Sequence, residues 1–366
     1  MTEGRARMKK QLFVPGRMEL AGNHTDHQHG RVLAGALDCG IIAQFEANGT
    51  NLIRIHSSGF EPFEARINQS GVHTEEFGTS KALVRGVVNG FQELGLSVGG
   101  FDAVMKSNLP IGSGLSSSAA FSVLIGRILN ELFNNGQIQP IVIARTAQEA
   151  ENKYFGKPCG LQAQLTIALS KTVYIDFKTF EIQPVKADFA AMGLTMCLAE
   201  TGGSHAGLDT SYARIPADMV YIANLFDKGV LGDVDPEEFR QKGWDPTSRP
   251  VRRAMHFFDE NERVPKMRDA LEKKDGETYM RLMNESGRSS ENLLTNVYTA
   301  VTDDTKLTEG LSLSAKLLEG KGAWRVHGGG FAGCVQALMP TDYYPTYKQE
   351  MENRFGEGSC RRMKLV

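Results

Sequence analysis

The sequence predicts a mixed α+β protein of two domains, and three observations carry that prediction. Its 366 residues exceed the length at which a single hydrophobic core usually stops growing. Strand-like and helix-like runs alternate through the first half of the chain. Beyond about residue 186 long, charge-laced helical segments take over, which sets a boundary there and divides the chain into 1–186 and 187–366.

From Ile41 to His56 two strand-like runs flank Asn48-Gly49, a dipeptide that predicts a hairpin turn. Lys81 to Leu94 reads as a helix and Phe101 to Lys106 as a strand. After a loop rich in glycine and serine, Ala119 to Phe133 continues as an apolar helix with a stripe to bury against the sheet. Ile141 to Tyr154 predicts another helix with Pro140 near its start, and Thr172 to Phe177 with Glu181 to Val185 predict two strands around a turn. Helices follow from Ala217 to Leu318, broken by the proline-bearing stretch Lys242 to Pro250. Short strands return at Trp324 to Val326 and Val335 to Leu338.

Composition excludes several classes of function. With 41 Lys plus Arg against 43 Asp plus Glu, the charge is balanced and offers no footprint for nucleic acid or an anionic membrane surface. The basic run Arg5 to Lys10 is followed by no apolar segment of signal-peptide character, so it reads as a solvated tail. No apolar stretch approaches transmembrane length. The five cysteines, at 39, 159, 197, 334 and 360, are scattered and lack Cys-x-x-Cys spacing, which predicts reduced thiols in a cytosol and neither a disulfide framework nor a zinc site. Cys159 and Cys334 read as small buried packing residues.

The chemistry concentrates in Pro110-Ile-Gly-Ser-Gly-Leu-Ser-Ser-Ser-Ala-Ala120. Gly112 and Gly114 let backbone amides turn inward toward an anion, Ser113, Leu115, Ser116 and Ser117 continue the loop, and a helix beginning near Ser116 points its positive end at the same place. A glycine-serine turn that merely caps a helix has the same composition, so the loop alone does not decide. No Gly-Lys-Ser/Thr follows the glycines and Gly-x-Gly-x-x-Gly is missing, which removes the two commoner phosphate motifs. Two further motifs accompany it: Pro15-Gly-Arg-Met-Glu-Leu-Ala-Gly-Asn-His-Thr-Asp-His27 and Val326-His-Gly-Gly-Gly-Phe-Ala-Gly-Cys334.

Three motifs in this order resemble the GHMP small-molecule kinases. Within that superfamily the nearest match is galactokinase, whose first motif reads Pro-Gly-Arg-x-Asn-x-x-Gly-Glu-His-Thr-Asp-Tyr before a segment like Gly30-Arg-Val-Leu33. Ala150 to Gly160 and Met283 to Ser290 also resemble galactokinase segments, so the likeness covers most of the chain. It implies a ribosomal-protein-S5-like N-terminal domain, a ferredoxin-like C-terminal domain and an active site between them. It also implies ATP and Mg2+ as cofactors, a small-molecule sugar as partner, and a cytoplasmic enzyme that phosphorylates galactose at the anomeric hydroxyl.

The same resemblance assigns roles. Gly112, Ser113, Gly114, Leu115, Ser116, Ser117 and Ser118 cradle the ATP phosphates, with Ser118 and Glu151 as magnesium ligands, a hydroxyl and a carboxylate that suit a hard cation. Arg17 stands beside the reacting hydroxyl as a permanent planar cation. Asn23, His24, Thr25 and Asp26 form the sugar-binding tetrad, joined by Gly160 and Tyr212. The glycine-rich third motif closes over the nucleotide side and supports the first loop. His24, His27 and His29 beside Asp26 also suggest a metal site, a reading that loses to the tetrad.

Two departures matter. Galactokinases carry Glu where this chain has Asn23, and an amide donates as well as accepts, which loosens selection at C6 of the sugar. They carry Cys-Gly-Ile-Met-Asp-Gln where this chain reads Cys159-Gly-Leu-Gln-Ala-Gln164, so the proposed catalytic base is replaced by Ala163. Neither Gln162 nor Gln164 accepts a proton at neutral pH, and loss of a general base lowers a rate by roughly 10²- to 10⁴-fold. Three readings stay open at this point: a galactokinase-type enzyme of impaired activity, a kinase for a C6-variant or other galactose-like sugar, and a non-catalytic sugar and ATP sensor.

Overall fold

A computed structural model of the chain describes residues 9–109, 114–203, 207–298 and 301–366. In chain order the first half contains β1 (Lys10–Ala21), β2 (Arg31–Ala47), β3 (Leu52–Ser57), β4 (Phe63–Arg66), α1 (Ser80–Glu93), β5 (Phe101–Ser107), α2 (Ser117–Phe133), α3 (Pro140–Glu149), α4 (Gln162–Leu169), β6 (Val173–Asp176) and β7 (Glu181–Pro184). The second half contains β8 (Leu194–Glu200), α5 (Asp209–Asn224), α6 (Pro236–Gln241), α7 (Arg249–Glu272), α8 (Gly276–Ser289), α9 (Lys306–Leu318), β9 (Ala323–His327), β10 (Cys334–Pro340), α10 (Tyr344–Phe355) and β11 (Cys360–Arg362). Two compact units result, one of residues 1–17, 36–111 and 115–170, the other of 18–35, 112–114 and 171–366. They are interleaved along the chain, and β1 and β2 each pass from one unit to the other.

In the first unit the strands are ordered β4-β3-β5-β2, with β3 and β5 parallel and the other neighbours antiparallel. Alternation decides which face is covered: Ile41, Ala43 and Phe45 of β2 are buried with Phe101, Ala103 and Met105 of β5, whereas Ile42 and Val104 point outward. Helix α1 begins where the Thr79 hydroxyl accepts from Ala82 N–H at 3.2 Å, and it buries Leu83, Val84, Val87, Val88 and Phe91.

The hairpin expected at Asn48-Gly49 is not formed, because β5 lies between β2 and β3. The turn instead clasps the start of β5: Asn48 N–H donates to the Gly100 carbonyl at 3.1 Å and Gly100 N–H to that of Thr50 at 3.0 Å. A side chain at residue 100 would strike Asn48 Oδ1 and the Leu52 carbonyl, each 2.6 Å from its Cβ position, so glycine admits the split.

The second unit pairs the first residues of β2 with β6, and β6 with β7, all antiparallel. It also holds the antiparallel sheet β11-β8-β10-β9. Helices α5 and α7 pack through Ile215, Met219 and Ile222 against Val251, Ala254, Phe257 and Phe258, so these charge-laced helices still bury a continuous apolar stripe. Among the described residues no helix is long and apolar enough to cross a membrane.

Candidate active site

Helix α2 of the first unit follows the serine-rich loop, and its N-cap Ser116 is left-handed at φ 60° and makes no side-chain cap. The first turn of α2 carries no acidic residue, so its free N–H groups and positive dipole end meet no competing carboxylate of their own helix. Gly112 and Ser113 lie outside the described residues. Gly114, at φ 72°, Ser116 and Ser117 are accessible, while Leu115 is buried and its carbonyl accepts the Arg17 N–H at 3.3 Å.

The helix predicted for Ile141 to Tyr154 is α-helical only to Glu149 and continues as a π-helical turn over Ala150–Phe155. That wider turn carries Glu151, a frequent setting for functional residues. The carboxylate is 2 % exposed, and each oxygen takes one donor: Ser118 Oγ donates to Oε2 and Gln164 Nε2 to Oε1, both at 2.9 Å. Burial pushes the Glu151 carboxyl above its ordinary range, against Lys157, those two donors and Arg17. The structure thus brings Ser118 and Glu151 into direct contact, as the spacing of the motifs could not reveal. A buried carboxylate beside a hydroxyl, all hard oxygen donors, fits Mg2+.

Ala163 is in the first turn of α4, half-buried between Gln162 and Gln164, both buried. The turn before it is fixed by Asn152, which accepts from Cys159 N–H at 2.7 Å, and by Gln148, which donates to the Cys159 carbonyl at 3.1 Å. Cys334 is buried as expected, whereas Cys159 is partly exposed and its sulfur meets Gln164 Nε2 at 3.3 Å. That opening follows from its place in the turn that carries Gly160.

In the second unit the sugar motif forms a tight turn around His24, left-handed at φ 57°, and the short helix Asp26–Gln28. Thr25 is fully buried, its hydroxyl 2.6 Å from the Arg31 carbonyl and 3.0 Å from that of Gly22. Asp26 is half-buried and accepts from His27 N–H at 2.9 Å.

The glycine turn of the third motif meets this loop, and three successive carbonyls accept side chains, two from the loop and one from α5. Asn23 Nδ2 donates to Gly328 O at 2.7 Å, His24 Nε2 to Gly329 O at 3.0 Å, and Tyr212 Oη to Gly330 O at 2.8 Å. A side chain at Gly329 would lie 2.8 Å from the Tyr212 ring. The third motif therefore backs the sugar motif within the second unit. The Nε2–H donation fixes His24 Nδ1 as an acceptor, and His27 Nε2 lies 3.3 Å from it. Desolvation holds both rings neutral, His24 lowered and His27 lowered to about 4. His29 turns elsewhere, 3.8 Å from Asp233.

Sequence reasoning missed the support beneath this loop. Asn23 is 1 % exposed and its amide is wholly engaged: Nδ2 also donates to Glu19 Oε1 at 3.1 Å, while Oδ1 accepts from Asn296 Nδ2 at 3.0 Å and Ser290 Oγ at 3.4 Å. One signal was readable: the galactokinase motif places Asn at the position of Glu19 and Glu at that of Asn23, so this chain exchanges the two. Glu19 pairs with Arg325 at 3.1 Å, and both are buried. From α7, Glu260 Oε1 accepts the Gly22 and Asn23 N–H groups at 3.1 and 3.4 Å, and His256 Nε2 donates to the Asn23 carbonyl at 2.9 Å. Ser286 and Ser289, from the segment that resembles galactokinases, reach Glu260 and His256 at 2.8 Å each. Burial alone would raise Glu260, yet Arg263, His256 and Arg325 hold it down at about 2, and burial lowers His256 to about 4.

Comparison with known proteins points to the same family as the motifs. Residues 82–171 match the family described as GHMP kinases N terminal domain, and residues 6–46 match the galactokinase galactose-binding signature. A galactokinase of Clostridium tetani is 28% identical across 95% of this chain and 88% of its own length. One from Clostridium acetobutylicum is 29% identical across 94% and 89%. Among solved structures, Lactococcus lactis galactokinase complexed with galactose superposes with a TM-score of 0.83 at 21% identity, covering 99% of this chain and 95% of that one. Methanococcus jannaschii mevalonate kinase gives 0.69 at 15% identity, with 99% of both chains covered. With its mixed α+β fold and all three motifs, the chain is similar to the galactokinase-type sugar kinases of the GHMP kinase superfamily.

Proposed function

We propose that this kinase transfers the γ-phosphoryl group of ATP to the anomeric hydroxyl of galactose, giving α-galactose 1-phosphate, at a rate limited by the missing base at Ala163. The observation that supports this most is the Ser118–Glu151 contact of 2.9 Å in the first turn of α2, with Arg17 near enough to favour the charged carboxylate. A protein that only sensed sugar would not need a buried carboxylate and hydroxyl arranged as cation ligands.

In this reading the loop from Gly112 to Ser118 and the first turn of α2 hold the phosphates by backbone N–H groups. Ser118 and Glu151 would hold Mg2+, which when bound neutralises phosphate charge. Gln164 keeps the Glu151 carboxylate turned toward Ser118. Arg17 supplies a fixed cation where the transferred group gathers negative charge. The turn built by Asn23 and Thr25 would present His24 and Asp26 to the sugar, His24 accepting through Nδ1 because its Nε2–H is held by Gly329, and Asp26 accepting, with Gly160 and Tyr212 completing the sugar site. Phosphoryl transfer passes through a loose transition state in most analyses, so positioning and charge carry most of the acceleration and deprotonation of the acceptor can lag. The enzyme therefore retains slow turnover without a carboxylate at residue 163.

A second acceptor class, galactose-like sugars altered at C6, is favoured by one observation: the Asn23 amide is wholly engaged within the protein, leaving no carboxylate at that position to select a 6-hydroxyl. The test is ADP release from Mg-ATP with galactose, galacturonate, N-acetylgalactosamine and arabinose, for this chain and its Ala163→Asp variant. The variant should be faster by about 10²-fold or more with little change in sugar affinity. Equal rates would refute the assignment of position 163, and sugar binding without turnover by either protein would favour the sensor.

A further inference from the structure

Asn296 is assigned no role by any motif, yet the chain is distorted to place it. The residues before it, Ser290–Leu294, form a π-helical turn, and Thr295 then takes the left-handed conformation at φ 58°, unfavourable for a β-branched residue. Asn296 is fully buried. Its Nδ2 donates to Asn23 Oδ1 at 3.0 Å and to the Gly329 carbonyl at 3.2 Å, and its own carbonyl accepts the Phe331 N–H. Among the described residues no donor reaches Asn296 Oδ1. A buried oxygen left without a donor is itself unfavourable, so a site selected for stability alone would carry an apolar residue here. Two unfavourable features thus coincide at one side chain, and that side chain joins the sugar motif to the glycine turn.

We propose that Asn296 is a positioning residue of the sugar site. It locks the Asn23 side chain to the Gly329 carbonyl, so that His24 and Asp26 are presented to the sugar from a rigid turn. The inference rests on the sugar-kinase reading above. The backbone bond to Phe331 survives any side-chain change at residue 296, so substitution isolates the amide.

The experiment uses the full chain with Asn296→Ala and the near-isosteric Asn296→Asp, which keeps the size but supplies no donor. Hydrogen exchange without ligand should speed up about tenfold in Gly22 to Gln28 and stay unchanged in α1. Calorimetry should show galactose, or the sugar of the panel that binds the wild type, weakened about tenfold by either variant, with ATP affinity within about twofold of wild type. Should the alanine variant not fold, Asn296→Asp carries the same comparison. Wild-type exchange and sugar affinity in Asn296→Asp would overturn the proposal, as would equal weakening of sugar and ATP. A wild-type chain that binds no sugar of the panel would overturn the kinase reading instead, while the exchange rates still decide whether Asn296 holds the turn.

Discussion

Replacing Glu260 by glutamine tests the support of the sugar motif quantitatively. Glu260 is fully buried, accepts from the backbone of Gly22 and Asn23 and from Ser286, and pairs with Arg263. Its carboxyl titrates at about 2 in the folded protein against an ordinary 4.5. A depressed carboxylate contributes stability that is fully present above its unfolded pKa and is lost as pH falls through the folded value. That difference corresponds to about 3 kcal/mol at neutral pH and about 1 kcal/mol at pH 3. Glu260→Gln should therefore lower the unfolding free energy by about 3 kcal/mol at pH 7, in the range of about 3–5 kcal/mol typical of breaking a buried ion pair, and the deficit should shrink as the pH approaches 3. Urea unfolding followed by tryptophan fluorescence reads this directly, because both tryptophans, Trp244 and Trp324, belong to the second unit. A deficit that is equally large at pH 7 and pH 3 would refute the electrostatic account, and one below about 0.5 kcal/mol at pH 7 would refute the network.

Two further outcomes follow from the same geometry. Gly329→Ala should weaken sugar binding by about tenfold or more while sparing ATP, because the new methyl would meet the Tyr212 ring at 2.8 Å; unchanged sugar affinity in calorimetry would count against the stitched turn. Glu151→Gln should raise the Mg2+ concentration needed for half-maximal turnover by at least about tenfold, because it removes the charged oxygen beside Ser118; a variant with wild-type magnesium dependence would remove Glu151 from the cation site.

Local patterns carried the order of strands, phosphate loop and helices, because Phe101 to Phe133 combines a strand period, glycines and an apolar helix within one continuous stretch. The Asn48-Gly49 turn was misread for a physical reason: a dipeptide specifies the bend but not whether a third strand enters between its arms, which here depends on glycine at residue 100. The Ser118–Glu151 pair was legible only through family likeness, since a lone glutamate on a helix carries no signal of its neighbours. His256, Glu260, Asn296 and Arg325 were not legible at all, being single polar residues on separate elements that converge only after folding. The exchange of Asn and Glu at residues 19 and 23 stood in the motif, and it became meaningful once Glu19 was found opposite Arg325.

The interleaving of the two units bears on biosynthesis. Residues 18–35 leave the ribosome early, yet the unit they complete requires residues from 171 onward, whose β6 is the partner of Arg31 to Ala34. The nascent chain must keep that early segment unpaired while the intervening residues emerge, with apolar residues such as Leu20, Val32 and Leu33 still awaiting burial. An expressed fragment that begins at residue 171 would lack those partners and present the free edge of β6 to other chains, a surface prone to association.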